Sequence, residues 1–219
     1  MKIKKVAVSL ISLCLLSASV AWAETPINEL PMYGGQHDPA VDKNVKASQD
    51  ATRRGWDAYH KGDPATAMKR FNQGWMLDRD NPEPYWGFGL IMAQRISAGD
   101  PETNLRESIR LLEMAVDKAP DDGRIIGDLA FSYTVIGHYY KSYAQNEELA
   151  KAHFETAGAL FEKAYAKAPT YPPVTANWSV FYFYTGDYQK AKTRADEAIS
   201  LGYQFGSDYM RNLEEQLKK

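Results

Sequence analysis

From Val45 to the C-terminus, apolar residues recur with the spacing of amphipathic helices, and the recurrence itself repeats. Gly55 and Gly89 lie 34 residues apart, and between them run Gly62-Asp63, Ala67, Phe71 and Gly74. A 34-residue period with small and aromatic residues at fixed offsets predicts helix-turn-helix units stacked into a solenoid. Four units are expected, at about residues 48–81, 82–122, 123–169 and 172–202. Residues 207–218 then form a last amphipathic helix, with Met210, Leu213 and Leu217 on one stripe and Arg211, Glu214, Glu215 and Lys218 pointing away. Such a helix caps the exposed apolar side of the final unit.

The later units repeat the pattern of the first. The second offers Tyr85, Phe88, Gly89, Ser108, Leu112, Ala115 and Pro120, and the third Leu129, Ala130, Tyr133, Ala157, Phe161, Ala164 and Pro169. The fourth has Trp178, Ser179, Tyr182, Ala191 and Ala198, with Ala195 where an aromatic is expected. On these residues the chain resembles the tetratricopeptide repeat (TPR) family over nearly all of 48–202. The resemblance implies an all-α fold, an α-solenoid of about four antiparallel helical hairpins with a C-terminal capping helix. Small residues let the two helices of a unit approach, and the aromatic wedges against the next unit.

Turn chemistry agrees. Gly62-Asp63, Gly99-Asp100 and Gly186-Asp187 each place a left-handed-tolerant residue at a helix end, followed by a side chain able to cap the next helix. Counted from the start of one unit to the start of the next, two units are too long, the second by 7 residues and the third by 15. Those lengths are close to whole helical turns, so both arms of each hairpin are expected to lengthen without rotating their packed faces. In the third unit the turn then falls at about residues 144–146, with Asn146 as the cap and Gly137 inside a helix. The resulting tip carries Tyr139, Tyr140 and Tyr143, a second candidate contact site.

The N-terminus changes the compartment. Met1 to Lys5 is basic, Val6 to Leu16 is an apolar run too short to span a bilayer, and Ala21-Trp22-Ala23 presents a cleavage site. Residues 1–23 therefore read as a signal peptide cleaved after Ala23, and the expected location is the periplasm. Cleavage removes three lysines and no acid, moving the net charge from −2 to −5. An acidic chain without a basic cluster excludes nucleic acid as the expected partner. The only cysteine, Cys14, leaves as well. Residues 24–44, rich in Pro and Gly, read as a flexible leader without regular structure, packing at most on the first helix. The last helix has a polar face of mixed sign, so membrane insertion is not expected once the signal is gone.

Catalytic chemistry is not written in the chain. No phosphate-binding glycine loop, nucleophile elbow or zinc-protease helix occurs, and the four histidines are scattered singly. No enzyme, metal or cofactor is expected. The resemblance implies a binding face on the first helix of each unit: Arg53, Trp56, Tyr59 and His60; Trp86, Leu90 and Gln94; Arg124, Asp128 and Phe131; Asn177, Val180, Phe183 and Tyr184. The family's clamp for a terminal carboxylate does not fit, because the matching positions are Thr52, Trp56, Gly87, Arg124 and Asp128. The expected function is a protein- or peptide-binding adaptor that holds its partner by aromatic contacts. Its rivals are a self-associating structural protein docked through the tyrosine tip, and a glycan-binding accessory of a cell-wall enzyme.

Overall fold

Short polar side chains start most of the helices. In the computed structural model, which describes residues 25–35, 41–95 and 100–219, the α-helices are α1 (Val45–His60), α2 (Pro64–Leu77), α3 (Pro82–Gln94), α4 (Pro101–Lys118), α5 (Gly123–Tyr139), α6 (Glu147–Lys167), α7 (Pro172–Thr185), α8 (Tyr188–Ser200) and α9 (Ser207–Leu217). Asn44, Asp63, Asn81, Asp100, Asp122, Asn146 and Asp187 each precede a helix and accept a hydrogen bond from a main-chain N–H two or three residues on. Proline opens α2, α3, α4 and α7, where its missing N–H costs nothing. Gly62 and Gly186 are left-handed, as the turn residues require. The expected signal peptide, Gly99 and residues 36–40 lie outside the described residues.

The described residues form two compact units that divide at Asp121–Asp122. In the first, α1 with α2 and α3 with α4 make hairpins, and α2 packs on α3. Phe71 of α2 is fully buried and sits between two glycines. A Cβ at Gly55 of α1 would lie 2.6 Å from its ring, and one at Gly87 of α3 would be as close on the opposite edge. Gly89 does the same for α3 against α4, where a Cβ would lie 2.6 Å from Leu112. Three helix crossings thus depend on missing side chains. One expectation fails here. The extra residues of the second unit of the repeat do not lengthen both arms: α3 has 13 residues and only α4, with 18, is long.

The leader also departs from expectation. Residues 25–35, expected to be flexible, make a 3₁₀ turn at Ile27–Glu29 and a second turned segment at Pro31–Gly35. They dock on α2 and not on α1. Asn72 of α2 is completely buried, donating to the Asn28 and Leu30 carbonyls at 3.1 and 2.8 Å and accepting from the Tyr33 N–H at 3.3 Å. Arg95 donates to the Glu29 carbonyl at 2.9 Å, and Lys69 pairs with the Glu29 carboxylate at 3.0 Å. Met32 and Tyr33 are held left-handed, at φ 50° and 54°, which costs an L-residue about 1–2 kcal/mol each.

In the second unit, α5 pairs with α6 and α7 with α8, and α9 packs on α8. The extension of the third repeat behaves as expected. Helix α5 runs into a π-helical turn at Tyr140–Ala144, Gln145 is left-handed, and Asn146 caps the long α6. Gly137 lies inside α5, where a Cβ would meet the Phe154 ring at 3.0 Å. Phe161 is fully buried with Ala130, Ala157, Phe181 and Trp178, whose ring lies 6.0 Å away and nearly parallel. The cap stripe of Met210, Leu213 and Leu217 packs inward, joined by Tyr209. Ser179 donates to the Ala191 carbonyl at 2.6 Å, so the Tyr209 hydroxyl donates to Ser179 at 2.5 Å.

Candidate functional site

In the first unit, α1 and α3 bring most of the expected face together. The Trp56 indole meets Trp86 at 4.8 Å and Phe71 at 5.0 Å between ring centres. Its N–H donates to Glu83 at 2.5 Å, a partner that the repeat pattern does not mark. His60 is exposed and stacks on Trp56 at 6.1 Å. The exposed Gln94 amide donates to the Tyr59 hydroxyl at 2.8 Å, bridging α1 and α3. Leu90 is half-buried. Trp86 does not belong to an exposed face: only 7% of it is accessible, and it packs in the core. Arg53 turns to Asp50 on its own helix, at 2.9 Å.

The second unit keeps fewer of its expected residues in the open. Arg124 folds back onto Asp122, the cap of its own helix, at 2.6 and 3.0 Å. Burial alone would raise the Asp122 carboxyl, but the bonds from Arg124 outweigh it and hold it below the ordinary range. Phe131 packs on the Phe161 core. Val180 and Phe183 are directed to the cluster of Tyr209 and Leu213, with the Phe183 ring 5.6 Å from Tyr209. They serve the cap. The reason lies in α9, which takes the place that another repeat would occupy and covers the side chains facing it.

What stays accessible in the second unit lies on α5, α7 and the tip. Asp128 is half-buried and accepts from the Asn177 amide at 3.4 Å. Tyr203, from the segment between α8 and α9, joins them; burial and then the Asp128 carboxylate push its hydroxyl upward. Tyr184 stacks on His138, with ring centres 4.0 Å apart and planes 9° from parallel. Tyr143 meets His138 edge-on at 6.3 Å and stacks with Tyr139 at 6.1 Å. His138, which no sequence motif singles out, thus links the first-helix face to the tyrosine tip. Its ring is held below the ordinary range by burial and then by Lys141, so it is neutral at pH 7. Tyr140 drops out of the tip: it is 3% exposed and stacks against His153.

Paired helices joined by a short turn, with glycine where they cross, make the fold that of tetratricopeptide repeat proteins. Among solved structures, the chain is similar to TTC0263, a thermophilic TPR protein in Thermus thermophilus, with a TM-score of 0.59. The two are 17% identical over 71% of this chain and 75% of that one. At that identity the likeness carries the fold alone. No family model matches the sequence, and no curated protein matches it.

Proposed function

We propose that the protein is a periplasmic adaptor that holds a protein or peptide partner on the faces formed by the first helices of its hairpins. The observation that carries this reading is the Tyr59–Gln94 bridge beside the exposed His60. These groups fill no core, yet they set polar atoms around the edge of an aromatic cluster, which is the composition of a binding hot spot. Asp128, Asn177, Tyr203 and Tyr184 offer the same mixture in the second unit. The signal-like residues 1–23 support export to the periplasm. A Tyr59→Ala, Gln94→Ala double variant tests the reading. Both side chains are at least partly exposed, so melting should change by no more than about 1 kcal/mol while capture of the partner falls at least about tenfold. Unchanged capture by a folded variant overturns the proposal.

A second reading, self-association through the tip, rests on Tyr143, which is 61% exposed and stacked on Tyr139. A protein that stays monomeric at high concentration removes it.

A further inference from the structure

Asn72 is an unusual side chain to find completely buried on the outside of a hairpin. Its entire donor capacity goes to one short segment of main chain, the carbonyls of Asn28 and Leu30, and its oxygen receives the N–H of Tyr33. A side chain used in this way reads the path of a backbone, because it contacts main-chain atoms whatever residues carry them. The surrounding groups then read residue type. Lys69 selects the acid at Glu29, Arg95 takes the Glu29 carbonyl, Pro31 is buried, and Tyr33 lies 6.5 Å from the Trp75 ring. The bound segment is bent to fit, with Met32 and Tyr33 left-handed. Non-glycine residues stay left-handed only where the surrounding contacts over-determine their conformation.

From this geometry we infer that the outer face of α2, with Asn72, Lys69 and Trp75, together with Arg95 at the end of α3, is a second peptide-recognition site, distinct from the faces of the first helices. Its ligand is a turned segment of the type acidic residue–Leu–Pro–any–aromatic–Gly, and the chain's own leader, residues 25–35, is its resident occupant. The occupant is tethered, so a free segment of the same type has to compete with it. The strained turn costs the resident and a competitor alike, so exchange turns on whether the tethered leader is drawn away. The site is therefore closed in cis and opens when the leader is drawn away.

The probe is a fluorescent peptide of residues 25–35, added in trans to the full chain. The wild-type protein should bind it weakly, because its own leader reduces the fraction of open sites. A full-chain Glu29→Lys, Pro31→Ser variant should release the leader and bind the wild-type peptide at least about tenfold more tightly. The same peptide carrying the Glu29→Lys change should then fail to bind. Adding Arg95→Met to the opened variant, which leaves Asn72 in place, should weaken binding again. An opened variant that keeps its helical signal yet ignores the peptide overturns the inference. Loss of fold in that variant also overturns it, since the leader would then be part of the core and not a ligand. Equal binding of the charge-reversed peptide does the same.

Discussion

Phe71 offers the sharpest test of how the repeat is packed. Its ring fills the gap between α1 and α3, with Gly55 against one edge and Gly87 against the other. In Gly87→Ala the new methyl would lie 2.6 Å from Cδ2 and nearer still to Cε2 and Cζ. Carbon atoms rest at about 3.5–4.0 Å, so the ring has to retreat by about 1 Å. Its retreat runs toward Gly55, where the backbone already leaves no room for a Cβ. Overpacking of this kind costs about 1–3 kcal/mol, while alanine in place of a helical glycine returns up to about 1 kcal/mol. The net expectation is a loss of about 1–2 kcal/mol. Urea unfolding followed by tryptophan fluorescence in a Trp178→Phe background, which leaves Trp56, Trp75 and Trp86 as the described indoles, reports on this unit. Combining Gly87→Ala with Gly55→Ala should cost more than the sum of the two, by about 1 kcal/mol, because the ring loses both directions of escape. In a Phe71→Leu background the penalty of Gly87→Ala should shrink or reverse. Stabilisation by Gly87→Ala alone, or strict additivity in the pair, would refute the sandwich.

Phe161→Ala should cost about 3–5 kcal/mol, read by thermal melting, because a fully buried ring leaves a cavity among Ala130, Ala157 and Trp178. Burial pushes the Tyr209 hydroxyl up to about 12. The unfolded tyrosine ionises near 10, so this contribution is complete below pH 10 and is lost as pH rises toward 12. Alkaline melts should show a decline of about 2–3 kcal/mol over that window, reduced in Tyr209→Phe. His138 should titrate below its ordinary 6.5 in an NMR series, and the stability of its stack with Tyr184 should fall as pH drops below that value. A His138 resonance that titrates above 6.5 would contradict the buried stack.

Helix positions and crossings were legible because they depend on local chemistry. The Gly55–Phe71–Gly89 spacing marks which residues must be small, and Asn146 before two glutamates marks where the long hairpin turns. Depth was less legible. Periodicity tells which way a side chain points from its helix, but not whether another element covers it. Trp86 is buried against Trp56 of α1, and Phe183 is covered by a cap helix whose Tyr209 falls outside the stripe of Met210, Leu213 and Leu217. The leader was least legible. Its order comes from hydrogen bonds to Asn72, 42 and 44 residues away in sequence, whereas its proline and glycine content speaks only against regular helix or strand.

The proposed adaptor holds its partners on the faces of the first helices. A photo-reactive side chain at position 94, compared with one at the exposed position 117 on α4, tests it in cells. The proposed adaptor should give a discrete periplasmic adduct from position 94 and none from position 117. Equal adducts from both positions, or adducts from 117 alone, would contradict it.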